Sequence, residues 1–144
     1  MDFICPKIIK IKSKNLVNNP KYHRLNISKN KHDINILLKV KCRIGTTIIS
    51  IKKIRYIEAS NKSSIIYIEK HKPITTIHLI KWYESRLPNP EFFRCHKSFI
   101  VNCLRIDYYC KGFLILDDNY RIPFSRSKKD SIISILEYLQ KKYQ

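Results

Sequence analysis

Carboxylates are what this chain most lacks. Eleven Asp and Glu face 29 Lys and Arg among its 144 residues. No two acids are placed as a general acid/base pair. No nucleophile has a positioned base beside it, and with two glycines in all there is no phosphate loop. These absences argue against an enzyme, and no small-molecule substrate is expected. The five cysteines (Cys5, Cys42, Cys95, Cys103, Cys110) are odd in number and contain no CxxC spacing, which argues against a disulfide scaffold or a zinc ribbon. They read as reduced thiols, mostly buried. The five histidines (His23, His32, His71, His78, His96) show no ligand spacing, so no metal and no cofactor is expected. Cys95 and His96 are neighbours, and neighbours on a strand point to opposite faces. No apolar run approaches a transmembrane length. The opening Met1-Asp2-Phe3-Ile4-Cys5-Pro6-Lys7 lacks a signal-peptide layout, so cytoplasmic residence is expected.

What the chain has is positive charge and apolar bulk. The formal net charge is +18, and 44% of residues are hydrophobic, with nine Tyr and six Phe beside abundant isoleucine. That composition can fill one core and is not that of a disordered chain. A charge of +18 on 17.3 kDa exceeds what solubility requires. It calls for a polyanion: DNA, RNA or an anionic membrane face.

Residues 1–34 read as a basic extension, with Lys7, Lys10, Lys12, Lys14, Lys21, Arg24, Lys29 and Lys31 against Asp2 and Asp33. Ile8–Lys12 alternates apolar and basic like a one-faced strand, and Asn15–Pro20 reads as a turn. The extension could add a strand, pair with a second subunit or stay mobile. Residues 35–144 form the expected domain, and their dominant period is two. Strands are expected at Ile36–Cys42, Ile48–Ile51, Ile54–Ala59 and Ile65–Ile68, with a turn at Ser60–Ser63. Pro73–Thr76 reads as an edge strand. Ile77, Ile80, Tyr83 and Leu87 recur at helical spacing, so Ile77–Leu87 is expected to be helical, capped by Thr75 or Thr76 and stopped by Pro88. Trp82 within it reads as a packing residue. Strands resume at Phe92–Cys95, Phe99–Val101, Leu104–Cys110 and Phe113–Leu116. A turn at Asp117–Asn119 leads to Tyr120–Phe124. Ser127–Asp130 resembles a capping box, opening a helix whose apolar stripe is Ile132, Ile135, Leu136 and Leu139. The many short strands with two short helices indicate a mostly-β domain of stacked small sheets. No helix-turn-helix is visible, so loops or strand ends must do any DNA reading.

Three loop clusters combine side chains suited to that task. The first is Lys41-Cys42-Arg43 before Gly45. The second is Arg94-Cys95-His96-Lys97-Ser98. The third is Ser125-Arg126-Ser127-Lys128-Lys129, where a strand becomes a helix. Arg grips guanine bidentately, while Lys, Ser and helix N-terminal amides suit phosphates. The third cluster, taken alone, also fits a capped helix with a solvated charge run.

The second cluster lies in Phe92-Phe93-Arg94-Cys95-His96-Lys97-Ser98-Phe99-Ile100-Val101-Asn102, which resembles the signature of the LytTR (LytR/AgrA-type) DNA-binding domain: F-x-R-x-H-x-S, an apolar pair, then Asn. Ile54-Arg55-Tyr56-Ile57-Glu58-Ala59 resembles the family's I-x-Y-I-E-A segment. Arg86-Leu87-Pro88 resembles its helix closing on Leu-Pro. Ile122-Pro123-Phe124-Ser125-Arg126 resembles its I-P-V-S-R end. Order and spacing hold over residues 36–142. The resemblance implies a mostly-β fold of about ten short strands in small antiparallel sheets, with two short helices. It also implies sequence-specific binding of double-stranded promoter repeats by a transcription regulator, with loops entering successive major grooves. It implies base contacts from Arg43, Lys97 and Arg126. Phosphate contact or loop support falls to Lys41, Arg94, His96, Ser98, Asn102, Ser125, Ser127, Lys128 and Lys129. For His96 an orienting role outweighs a base contact, whereas Arg94 and Asn102 are evenly balanced between the two. Phe92, Phe93, Phe99 and Val101 are expected in the core.

The resemblance also implies a pair of copies on tandem repeats, a homodimer that could form only on DNA. Most family members carry a receiver domain, which needs an acidic cluster and well over a hundred further residues. Its lack here points to a fragment or to a stand-alone regulator, the latter controlled by expression level or by a membrane-bound or other protein partner. The competing reading is a general RNA or single-strand binder. It would need exposed stacking aromatics, for which Tyr67, Tyr108, Tyr109 and Tyr120 are candidates.

Overall fold

The computed structural model describes residues 23–24 and 36–143. Eleven strands and two α-helices follow in order: β1 (His23–Arg24), β2 (Leu37–Cys42), β3 (Gly45–Ser50), β4 (Ile54–Ser60), β5 (Ser63–Ile68), β6 (Ile74–Thr76), α1 (Ile80–Glu84), β7 (Phe92–His96), β8 (Phe99–Asn102), β9 (Ile106–Cys110), β10 (Phe113–Leu116), β11 (Arg121–Pro123) and α2 (Lys129–Lys142). Short 3-10 turns precede β4, β9 and α2, at Ile51–Lys53, Cys103–Arg105 and Arg126–Lys128. The strands form three antiparallel sheets, ordered β6-β5-β4-β8-β7, β1-β9-β10-β11 and β2-β3. The mostly-β fold of small sheets with two helices is thus as expected. Two residues of the basic extension appear as β1, paired with Tyr108 and Tyr109 of β9. Ile8–Lys12, Asn15–Pro20 and Cys5 lie outside the described residues.

The five-stranded sheet is central because both its faces are apolar. Successive strand residues point to opposite sides. Tyr56 and Val101 pack with Leu114, Ile122, Leu136 and Leu139, on the side covered by α2 and the β9–β11 sheet. Their neighbours Ile57 and Ile100 pack with Val40, Ile49, Ile80 and Tyr83, on the side covered by the β2–β3 hairpin and α1. This is why Ile54-Arg55-Tyr56-Ile57 is buried at every position. Phe92 and Val101 are core residues, while Phe93 and Phe99 are only partly buried.

Two helix boundaries differ from expectation. The first helix has five residues, and neither Thr75 nor Thr76 caps it. Leu79 holds the N-cap position with no side-chain bond. Thr76 is instead a buried strand residue whose hydroxyl meets the Tyr83 hydroxyl and donates to the Ser64 carbonyl. Burial pushes the Tyr83 hydroxyl up to about 12. Ile77 is half exposed, because its backbone N–H donates to the Lys41 carbonyl rather than starting a helix. At the second helix, Ser127 lies inside a 3-10 turn and Lys128 occupies the N-cap without a side-chain bond, so the capping box does not form. The stripe of Ile132, Leu136 and Leu139 is buried against this domain, with Ile135 at its edge. Cys95, Cys103 and Cys110 are buried, and Cys42 is partly exposed.

Candidate nucleic-acid interface

Strand register puts the predicted loops at one end of the central sheet. Glu58 of β4 pairs with Phe99 of β8, so the β4–β5 turn and the β7–β8 turn lie side by side. The Ala59 N–H donates to the Ser98 carbonyl at 2.8 Å and joins them. The Ser125 N–H donates to the Cys95 carbonyl at 2.9 Å, which brings the 125–128 segment to the same end. Cys95 itself is buried, and its thiol is pushed up to about 12 by that burial. The second and third clusters are therefore adjacent, although Ser98 and Ser125 are 27 positions apart in the chain.

The β7–β8 turn is shaped by its own side chains. Arg94 pairs with Glu84 at 2.7 Å and donates to the Lys97 carbonyl at 2.6 Å. The Ser98 N–H donates to His96 Nδ1 at 3.1 Å, and the ring meets Phe99 edge-on. Accepting that bond needs a neutral ring. Burial and then the Lys97 charge lower its proton affinity below the ordinary imidazole value. With the backbone fixed in this way, the Lys97 side chain is exposed. Arg126, Ser127, Lys128 and Lys129 are exposed too, Ser125 partly so, and the Lys128 ammonium sits 5.6 Å above the Phe93 ring.

The first cluster occupies the β2–β3 hairpin. Its tip residue Arg43 is exposed, as is the Lys41 side chain. An open groove of about 930 Å³ separates this tip from the β4–β5 turn and is lined by residues of both, Arg43 and Lys62 among them. Structure therefore adds a cation that the sequence reading missed. Lys62 is exposed on the β4–β5 turn, next to the Lys97 loop. The signal available was a lysine in the Ser60-Asn61-Lys62-Ser63 turn between two apolar strands. Asn102, expected to contact phosphate or to organise a loop, lies at the opposite end of β8 and is 2% exposed. Its amide donates to the Ile54 carbonyl and its oxygen accepts from the Leu104 N–H, so it pins the 3-10 turn there.

Charge is sorted along the sheet. Two carboxylates toward the loop end are engaged: Glu84 by Arg94, and Glu58 by the Tyr67 hydroxyl at 3.1 Å. At the far end Asp117 holds Arg55 at 2.9 Å and Arg105 at 3.3 Å, Asp118 holds Arg55, and Glu69 holds Arg105 at 2.7 Å. Hydrogen bonding by Arg105 keeps the Glu69 carboxyl below the usual carboxylate range. Among the described residues, no carboxylate pairs with Arg43, Lys62, Lys97 or Arg126.

Residues 45–137 match the family model of the LytTr DNA-binding domain. The chain belongs to the LytTR family. Over 84 residues it is 31% identical to the transcriptional regulatory protein YpdB of Escherichia coli, and equally so to that of Shigella flexneri. The match covers 54% of this chain and 34% of the relative, so the chain spans about a third of the length of the curated relatives it matches. A solved LytTr DNA-binding domain, from a Bacillus cereus protein described as a methyl-accepting/DNA response regulator, superposes with a TM-score of 0.58 at 27% identity. That superposition covers 69% of this chain and 95% of that domain.

The tyrosines do not support the single-strand reading, although Tyr120 is 43% exposed. Tyr108 is buried, and Tyr67 stacks on Tyr56 with ring centroids 4.3 Å apart. Tyr120 lies under the Arg55 guanidinium, and Tyr109 packs against the core. They do not form the open stacking platform that this LytTR chain would need for unpaired bases. Among the described residues, no three His, Cys, Asp or Glu are grouped to hold a metal, and no helix is long and apolar enough to cross a membrane.

Proposed function

We propose that this LytTR chain regulates transcription by binding duplex DNA in a sequence-specific way, through the loop end of its central sheet. The observation that carries this reading is the convergence there of exposed Lys62, Lys97 and Arg126, none paired with a carboxylate among the described residues. Arg43, Lys97 and Arg126 read bases in successive major grooves. A groove about 12 Å wide accepts a two-stranded hairpin tip or a tight turn. Lys41, Lys62, Ser98, Ser125, Ser127, Lys128 and Lys129 contact phosphates. Arg94 and His96 act indirectly, by holding the Lys97 loop in shape. The uncapped start of the 3-10 turn and α2 adds backbone N–H donors next to Arg126.

In this reading the chain binds rather than transforms its partner, and it works in the cytoplasm. Two copies occupy tandem promoter repeats, meeting there as a homodimer. A membrane-bound or other protein controls them. Residues 1–34 are a basic extension of the domain at 35–144, joined to it where β1 pairs with β9. A direct test is fluorescence anisotropy with duplex and single-stranded oligonucleotides over a salt series. Duplex is bound more tightly, and log Kd rises steeply with log salt at about 0.9 per neutralised phosphate. Preference for the single strand, or a flat salt response, would count against the proposal.

A further inference from the structure

The β2–β3 hairpin tip carries a side chain that the fold does not use. Cys42 pairs with Gly45, leaving Arg43 and Ile44 as the two tip residues. Ile44 is 99% exposed, more than any other large apolar residue described. An isoleucine held wholly in water forgoes the stabilisation that burial brings. The hairpin behind it is held firmly. The Lys41 N–H donates to His78 Nε2 at 3.2 Å, and the Ile77 N–H donates to the Lys41 carbonyl at 3.0 Å. Gly45, at a φ of 151°, closes the turn in a region that favours glycine.

The tip's surroundings define its partner. Lys41 and Arg43 sit on the same hairpin just before the isoleucine, so the surface it meets is anionic yet must offer an apolar group. The major groove of duplex DNA does both, since phosphates line it and each thymine presents a 5-methyl group. The tip also shares a groove with the Ser60–Ser63 turn, which carries Lys62 beside the Lys97 loop. We infer that Ile44 reads a thymine, packing on its 5-methyl group beside the base contact of Arg43. This rests on the duplex-DNA reading of that end of the molecule.

The test removes one methyl group at a time. In a bound duplex recovered by selection, each thymine is replaced singly by deoxyuridine, and Kd is measured for the parent and for Ile44→Ala. Because Ile44 is exposed, the variant keeps the fold, which circular dichroism checks. At one thymine the replacement weakens the parent about fourfold, the worth of one buried methyl group. The same replacement leaves Ile44→Ala unchanged. If no replacement weakens the parent, or if each weakens both proteins equally, the contact is wrong while duplex binding stands. A loss of binding to anionic phosphatidylglycerol vesicles in Ile44→Ala, without any thymine dependence, also overturns it. A parent that binds no duplex overturns the DNA reading and this contact together.

Discussion

Arg126 and Lys62 are both exposed cations at the loop end, but they are expected to fail differently when removed. Arg126 stands where a guanidinium can grip a guanine edge. Arg126→Ala should cost about 1–3 kcal/mol of DNA affinity and relax preference at one base position. Binding of Arg126→Ala as tight and selective as the parent's would remove Arg126 from the readers. Lys62 is positioned for phosphate. Lys62→Ala should weaken all duplexes alike and lower the salt slope by about 0.9. A change confined to one base position would instead make Lys62 a reader. Arg126 and Lys97 were legible in the sequence, since their clusters fall in motifs and carry the right chemistry. Lys62 was not, because a lysine in a short turn looks like any solvated charge until strand register sets it beside Lys97. The burial of Asn102 was equally hidden, since its partners Ile54 and Leu104 are fixed only by the fold.

Among the elements, the β2–β3 hairpin and α2 carry the clearest consequences. The hairpin is tied down by a histidine that must stay neutral. His78 Nε2 accepts the Lys41 N–H while the ring stacks 3.6 Å from Trp82, over which the Arg86 guanidinium also lies. Burial, then the charges of Arg86 and Lys41, hold His78 below the ordinary imidazole value of 6.5. His96 is lowered in the same direction by burial and Lys97. As pH falls, the unfolded chain therefore takes up these protons first. This part of the stability is complete above the unfolded value and is lost as pH drops through the folded values. Urea midpoints should fall between about pH 7.5 and pH 5.5. In His78→Gln, which keeps an acceptor but does not titrate, the fall should be smaller. An equal fall in both proteins would show that His78 is not coupled to folding.

Leu136 on α2 is 1% exposed in the core cluster. Leu136→Ala should cost about 2–5 kcal/mol, read from the same urea transitions. A loss near zero would mean that α2 is not docked as described. The α2 stripe was legible because its period stays helical for about two turns. The first helix was overestimated because Ile77 fits the same period, yet its N–H is committed to Lys41 across the fold. The capping box failed for a related reason. The chain tightens into a 3-10 turn at Arg126–Lys128, which moves the helix start past Ser127.

Taken whole, the molecule separates its charges. Among the described residues, Asp117, Asp118 and Glu69 clamp Arg55 and Arg105 at one end of the central sheet, and exposed Lys62, Lys97 and Arg126 gather at the other. Composition foretold a polyanion partner, and motif order foretold the family and its mostly-β architecture. The grouping of the loops could not be read from the chain, since hydrogen bonds between distant segments make it. The central claim is that this end reads duplex sequence. Selection of bound duplexes from a random pool, followed by sequencing, tests it most directly. The account predicts an enriched motif in two copies, spaced by whole helical turns of about 10–10.5 base pairs. A bound pool with no enriched motif would contradict it.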